Sequence, residues 1–132
     1  MKKGTSVIDI GSGAGLPGIV IAIARPDLKI TLLEPLQRRL SFLEEASEGL
    51  DIKIVRGKAE NTKGQWDYVT ARAVAPLPKL WEISKHLLKP GGSLLAMKGE
   101  SAKEEAAEVP GAILHEIQLE GVPLARVIEL KR

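Results

Sequence analysis

The pattern of apolar and polar positions divides the chain into short apolar runs and segments with helical spacing. Short apolar runs bounded by glycine, proline or charged residues are typical of buried strands, whereas apolar residues that recur every three or four positions are typical of amphipathic helices. The apolar runs predict strands at residues 6–10, 29–34, 51–56, 66–71, 93–97, 113–119 and 124–130. The helical spacings predict helices at residues 17–24, 36–49 and 78–88, and from residue 101 onwards.

This alternation of strands and helices predicts an α/β fold with a mostly parallel, doubly wound sheet. Residues 57–65 are too few for a full crossover helix between parallel strands, so we expect one helical turn there. Residues 120–123 are few enough to join the last two strands as an antiparallel hairpin. We expect residues 1–132 to form one domain.

Two local motifs are predicted to mark the ends of helices. The residues Lys89-Pro-Gly-Gly92 end the third helix before the fifth strand begins. Ser101 with Glu104 has the spacing of a capping box, which opens the fourth helix. The acids that follow, Glu104, Glu105 and Glu108, are expected on a solvated helix face.

The first strand runs into a glycine cluster, and this is the strongest chemical signal in the chain. Glycines at positions 11, 13, 15 and 18 let a ligand approach the backbone, and the following helix offers unpaired N–H groups. A dinucleotide and S-adenosyl-L-methionine both use such a turn, and both need an acid after the second strand for the ribose hydroxyls. Glu34 is that acid.

The spacing of the cluster separates these two ligands. The segment from Gly13 to Gly18 matches the dinucleotide pattern, but it begins two residues after the strand has met Gly11. Counted from Gly11, the sixth position is Leu16, which breaks that pattern. Asp9, two residues before Gly11, is typical of the methyltransferase version of the turn. The sequence therefore predicts a Rossmann-like S-adenosyl-L-methionine-dependent methyltransferase fold, with a ligand-free glycine turn as the weaker alternative.

Three further positions follow strands at the edge where open α/β sheets bind ligands. Ala59 and Glu60 follow the third strand, where a backbone N–H and a carboxylate can bind an adenine edge; otherwise Glu60 is a solvated loop acid. Arg72 ends the fourth strand and is a candidate for a carboxylate or phosphate contact, or else a surface arginine. Lys98, after the fifth strand, is a weaker candidate because a lysine–glycine pair often forms only a turn. No residue is assigned a catalytic role.

Composition limits the remaining classes of protein. There is no cysteine among 132 residues, and the two histidines lack partners, so we expect no disulfide and no metal site. No apolar run is long enough for a membrane span, and we expect a cytoplasmic monomer. A net charge of +2 and 3% aromatic residues allow an RNA partner without predicting one. Trp66 and Trp81 are expected in the core.

Several stretches together resemble the bacterial small-subunit (16S) ribosomal RNA guanine-N7 methyltransferases, also called the glucose-inhibited division protein B family. They are the segments at residues 9–18, 22–26, 32–35, 39–44, 57–60, 69–75 and 95–99. The Leu16-Pro-Gly18 and Thr70-Ala-Arg-Ala73 motifs are the most specific of them.

The resemblance implies methylation of guanine N7 in small-subunit ribosomal RNA with S-adenosyl-L-methionine as donor. It implies that this donor contacts five residues, Gly11, Leu16, Ala59, Glu60 and Arg72. Gly13 and Glu34 are added from the physical argument.

The chain departs from this family at both ends. Members usually carry a helical segment before the first strand, where this chain has five residues, and a longer loop where residues 119–124 stand. We therefore expect cofactor binding to be retained and RNA recognition to be impaired. The alternatives are a methyltransferase for another substrate, a cofactor- or RNA-binding module without turnover and, least favoured, a nicotinamide-dependent oxidoreductase.

Overall fold

The computed structural model describes residues 1–12, 15, 17–72, 75–118, 120–121 and 124–132. The strands of this part of the chain are β1 (Ser6–Ile10), β2 (Lys29–Glu34), β3 (Ile52–Arg56), β4 (Trp66–Arg72), β5 (Leu88–Lys98), β6 (Ile113–Ile117) and β7 (Ala125–Lys131). The α-helices are α1 (Gly18–Ala24), α2 (Gln37–Ala46), α3 (Leu77–Ser84) and α4 (Ala102–Glu108). Single 3-10 turns lie at Ala59–Asn61 and Lys85–Leu87.

These strands form one sheet in the order β3-β2-β1-β4-β5-β7-β6. The pairs from β3 to β5 are parallel, and β7 is antiparallel to both β5 and β6. The strand order reverses between β1 and β4, because β2 and β3 extend the sheet to one side of β1 and the later strands extend it to the other. Open α/β sheets bind their ligands at the carboxyl ends of the strands beside such a reversal.

Apolar residues cover both faces of the sheet, as the runs of consecutive apolar positions predict for parallel strands. On one face, Val7 and Leu32 pack against Ile19 of α1 and Leu43 of α2. On the other face, the larger cluster joins β1, β4, β5 and β7 to α3 and α4. Trp66 and Trp81 pack against this larger cluster, which confirms the prediction for both residues.

The predicted fold class, a mostly parallel α/β sheet that ends in an antiparallel hairpin, is confirmed. The single helical turn between β3 and β4 is also present, at residues 59–61. Both strands that carry the strongest motifs, β1 and β2, have their predicted bounds.

Both predictions about helix-end motifs are wrong. Lys89-Pro-Gly-Gly92 lies inside β5, because the Gly91 N–H donates to the Arg132 carbonyl at 3.2 Å and the Arg132 N–H donates to the Gly92 carbonyl at 2.8 Å. The capping box is not formed, since the Ser101 hydroxyl donates to Glu105 Oε2 at 2.9 Å and makes no cap hydrogen bond.

Within the described residues, no helix is long and apolar enough to cross a bilayer.

Candidate functional site

A cavity of about 310 Å³, called the Gly11 cavity below, opens at the carboxyl ends of β1 and β3. Three of the predicted residues line it together, namely Gly11, Ala59 and Glu60. The rest of its lining is mostly apolar with two lysines: Ile10, Pro35, Gly57, Lys58, Ala75, Lys79 and Ile83. Sequence positions up to 73 residues apart therefore meet at one edge of the sheet.

The turn after β1 begins with Gly11 in a conformation that favours glycine. Its φ is +63°, in the left-handed region, and the residue is exposed at the cavity. The Ser12 N–H then donates to the Leu33 carbonyl of β2 at 3.1 Å, and the Gly15 N–H donates to the Ser12 carbonyl at 2.6 Å. The turn is thus fixed to the neighbouring strand. The predictions for Gly13 and Leu16 lie outside the described residues.

Asp9 stabilises this turn through hydrogen bonds to its carboxylate. Its carboxylate is fully buried; Oδ2 accepts hydrogen bonds from the Gly18 N–H and the Ser12 hydroxyl, both at 3.1 Å. Oδ1 accepts a hydrogen bond from the Thr70 hydroxyl of β4 at 2.8 Å. Burial raises the pKa of Asp9, and the hydrogen bonds from Thr70, Ser12 and Gly18 oppose that rise. Asp9 therefore connects the turn to β4 and to the first residue of α1.

Gly18 allows α1 to begin very close to the sheet. A Cβ at this position would lie 2.3 Å from Leu32 Cδ2 and 2.8 Å from Asp9 Oδ2. Both neighbours are fully buried, so neither can move away freely. Gly18, the fourth glycine of the cluster, is therefore required by packing between α1 and the sheet. Gly11, in contrast, leaves space for a ligand to contact the backbone.

Glu34 lies at the carboxyl end of β2, as predicted, with 1% of its surface exposed. Its Oε2 accepts the Leu36 N–H at 2.7 Å, and its Oε1 lies 3.6 Å from Arg39 Nη1. Its backbone carbonyl accepts the Gly57 N–H at 3.1 Å, which draws the segment after β3 towards β2. Pro35, the next residue, lines the Gly11 cavity.

The 3-10 turn after β3 presents Ala59 and Glu60 at the cavity. Ala59 is 6% exposed and belongs to the core, whereas Glu60 is exposed. The turn is closed by the Asn61 N–H, at 3.1 Å, and by the Thr62 hydroxyl, at 2.7 Å, which both donate to the Lys58 carbonyl. The turn therefore places an exposed carboxylate beside a buried small residue at the edge where open α/β sheets bind ligands.

Arg72 is separate from this group. It ends β4 with its side chain exposed, beside Met97 of β5. Among the described residues, it does not line the Gly11 cavity. The structure thus brings Gly11, Ala59 and Glu60 to one cavity, puts Glu34 beside them, and leaves Arg72 on a neighbouring strand end.

A second cavity, of about 560 Å³, lies at the carboxyl end of β5 and is called the Lys98 cavity below. Lys98 and Glu105 line it, and Ala75 lines both cavities. The expectation that Glu105 lies on a solvated face is wrong, because its side chain is only 17% exposed and its Oε1 lies 3.2 Å from Lys98 Nζ. The only sequence signal for this pair was the position of Lys98 at a strand end.

Comparison with known proteins relates the chain to one family along almost its whole length. The family model described as "GidB: rRNA small subunit methyltransferase G" matches residues 1–127. The protein of that name from Thermobifida fusca (strain YX) is 53% identical over 135 residues, which cover 98% of this chain and 55% of that protein. Its counterpart from Rhodococcus jostii (strain RHA1) is 56% identical over 112 residues, covering 80% and 49%. The chain spans about half the length of the curated relatives it matches.

Solved structures share the fold at lower sequence identity. TrmN from Thermus thermophilus superposes with a TM-score of 0.71 at 23% identity, over 98% of this chain and 44% of that one. A methyltransferase from Pyrococcus furiosus superposes with a TM-score of 0.75 at 16% identity, over 98% and 76%. These likenesses confirm the Rossmann-like methyltransferase fold predicted from the glycine turn.

Proposed function

The chain belongs to the rRNA small subunit methyltransferase G family, and from this membership and the Gly11 cavity we propose that it methylates small-subunit ribosomal RNA at guanine N7 with S-adenosyl-L-methionine. The observation that carries the proposal is the meeting of Gly11, Ala59 and Glu60 in one cavity beside the strand reversal. These predicted cofactor residues come from two loops, after β1 and after β3, that lie 48 residues apart in the sequence, so sequence proximity does not explain their shared cavity.

The lining of the Gly11 cavity fits a nucleoside that carries an amino-acid chain. Its volume of about 310 Å³ is at the lower end of the range for small-molecule sites. Ile10, Pro35 and Ile83 supply apolar walls suited to an adenine ring, and Glu60 supplies an acceptor suited to its amino group. The exposed backbone of Gly11 has no side chain to exclude the ligand.

We infer the following roles from this lining and from the sequence motifs together. Gly11 would lie against the amino-acid chain and ribose. Gly13 and Leu16, which lie outside the described residues, are proposed as contacts of the same ligand from the sequence alone. Ala59 and Glu60 would bind the adenine edge. As the proposed ribose acceptor, Glu34 would have to become accessible when the donor binds, because its side chain is 1% exposed and accepts the Leu36 N–H. Arg72, from the adjacent strand end, would bind the donor's carboxylate.

The chemistry needs positioning more than proton transfer. Bound S-adenosyl-L-methionine would supply its sulfonium methyl group to the lone pair of guanine N7, with the S–CH3 bond breaking to leave the neutral thioether S-adenosylhomocysteine, and N7 would lose no proton. No residue of this chain is therefore required as a general base, and none is assigned. The contribution of the protein is to orient the two reactants, and such orientation alone accounts for about 7–11 kcal/mol in well-aligned reactions.

The proposal is tested by methyl transfer from radiolabelled S-adenosyl-L-methionine to small-subunit and large-subunit ribosomal RNA. The expected product is N7-methylguanine in the small-subunit RNA alone, detected by mass spectrometry of the digested nucleosides. Transfer to large-subunit RNA alone, or to another atom of the base, would contradict the proposal. Binding of the donor without any transfer would favour the alternative, a cofactor-binding domain without turnover.

A further inference from the structure

Lys98 and Glu105 form a partly buried ion pair at the end of β5, beside the proposed cofactor site. Lys98 has 7% of its side chain exposed, and its Nζ lies 3.2 Å from Glu105 Oε1. An ammonium group withdrawn from water is tolerated only when it is paired and hydrogen-bonded. Burial alone would raise the pKa of Glu105, but hydrogen bonds from Ser101, Leu77 and Lys98 outweigh it and leave that pKa below its usual value.

Both members of the pair bind the short segment Ala75-Pro-Leu77, which precedes and begins α3. Lys98 Nζ donates to the Ala75 carbonyl at 2.6 Å. The Leu77 N–H donates to Glu105 Oε1 at 3.0 Å. Pro76, between them, has no N–H to donate. A carbonyl at one end of the segment and an amide at the other are thus held by one ion pair.

The held segment lies between the two cavities. Ala75 lines both the Gly11 cavity and the Lys98 cavity, so its position sets the boundary that they share. The α4 side of the pair is fixed in turn by the Ser101 hydroxyl, which donates to Glu105 Oε2 at 2.9 Å. Displacement of the pair would therefore move the boundary that Ala75 forms between the two cavities.

We propose that Lys98 and Glu105 are positioning residues for methyl transfer, an inference that rests on the proposed function. They hold the Ala75–Leu77 segment so that a base bound at the shared boundary meets the methyl donor in the Gly11 cavity at reacting distance. Neither side chain is required to touch the reacting atoms. Misplacement of a reactant by about 1 Å lowers a rate by roughly 100-fold, so a small movement of this segment has a large effect on kcat.

The principal test is the double variant Lys98→Met/Glu105→Leu, which removes both charges and keeps apolar volume. Replacement of a buried ion pair by apolar residues of similar size is often neutral for stability. The matched control is Lys103→Met/Glu104→Leu, which makes the same two substitutions at exposed positions of α4. The measurements are Tm, the Kd for S-adenosyl-L-methionine, kcat and KM for RNA, and the hydrogen-exchange rate of the Leu77 amide.

For the double variant we expect a Tm several degrees below that of the wild type, because the Leu77 N–H and the Ala75 carbonyl lose their partners. Its Kd should stay within about threefold, because neither Lys98 nor Glu105 is among the described residues that line the Gly11 cavity. Its kcat should fall at least about 30-fold with KM for RNA within about threefold, because alignment and not binding is lost. The Leu77 amide should exchange at least about tenfold faster, because its acceptor is gone. The control variant should match the wild type in every measurement.

A folded double variant with kcat within about threefold of the wild type would overturn the proposal, since the pair would then serve stability alone. If the double variant does not fold, Glu105→Asp decides: it keeps the charge but withdraws the carboxylate by one methylene. Its kcat should fall about tenfold, and an unchanged kcat would overturn the proposal.

Failure of the proposed function gives a different result: a wild-type chain that transfers no methyl group refutes that function. The hold of the ion pair on the Ala75–Leu77 segment is then tested by hydrogen exchange of the Leu77 amide alone. Unchanged exchange in the folded double variant, or in Glu105→Asp if that variant does not fold, overturns the proposed positioning.

Discussion

Substitution of Gly18 by alanine tests how closely α1 must approach the sheet. The added methyl group would lie 2.3 Å from Leu32 Cδ2 and 2.8 Å from Asp9 Oδ2, so the helix must retreat from both. Overpacking of this kind costs about 1–3 kcal/mol. Weakening of the 3.1 Å hydrogen bond from the Gly18 N–H to Asp9 adds roughly 1.5–3 kcal/mol, because the acceptor is a carboxylate.

The higher helix propensity of alanine acts in the opposite direction and contributes at most about 1 kcal/mol. The net decrease in the free energy of unfolding is therefore about 1.5–6 kcal/mol. For a chain of 132 residues, this corresponds to a decrease in Tm of roughly 5–22 °C. The measurement is thermal unfolding followed by circular dichroism, supported by urea titration.

Gly99→Ala is the matched control, because a Cβ there meets no heavy atom within 4 Å and the backbone is not left-handed. Its Tm should stay close to that of the wild type. A double-mutant cycle with Leu32→Ala tests the clash directly. The decrease in the free energy of unfolding caused by Leu32→Ala should be at least about 1 kcal/mol smaller in the Gly18→Ala protein than in the wild type. A Gly18→Ala protein as stable as the wild type would show that α1 does not need this close approach to the sheet.

Three further predictions concern the turn and its surroundings. Gly11→Leu should raise the Kd for S-adenosyl-L-methionine at least about 100-fold, whereas Gly111→Leu, at a similar φ of +84°, should leave that Kd unchanged in calorimetric titration. Glu60→Ala should raise the same Kd by about tenfold through loss of one charged hydrogen bond, with Glu104→Ala as the control that should not. Burial raises the pKa of Asp9, so its ionisation opposes folding. The free energy of unfolding of the wild type should therefore decrease relative to that of Asp9→Asn as pH rises from about 4. Thermal unfolding of both proteins between about pH 4 and 7 measures this, and a relative gain by the wild type would contradict it.

The parts of the fold that follow local rules could be predicted from the sequence. The bounds of β1 and β2 are marked by charged or turn residues on either side of apolar runs, and the hairpin follows from a short connection. Lys89-Pro-Gly-Gly92 was predicted wrongly because its turn chemistry is overridden by pairing with Arg132, 40 residues further on. A Cβ at Gly92 would lie 2.7 Å from the Asp67 carbonyl, so this glycine serves the approach of two strands and not a turn.

The candidate site also contains residues that local sequence patterns predict and a pair that only packing brings together. Gly11 was predicted because a strand that ends at glycines is a local pattern, and Ala59 and Glu60 because they follow a strand at the expected edge; the structure places all three at one cavity. The Lys98–Glu105 pair was missed because it exists only when α4 packs against the end of β5. No spacing in the sequence relates a lysine at a strand end to an acid in the next helix, so contacts of this kind require the structure.

Calorimetric titration measures directly whether the Gly11 cavity binds S-adenosyl-L-methionine. The purified chain is titrated with S-adenosyl-L-methionine, with its demethylated product S-adenosylhomocysteine, and with NAD. We expect the first two to bind with a stoichiometry of one and NAD not to bind. Binding of NAD in their place, or binding of none of the three, would contradict this expectation.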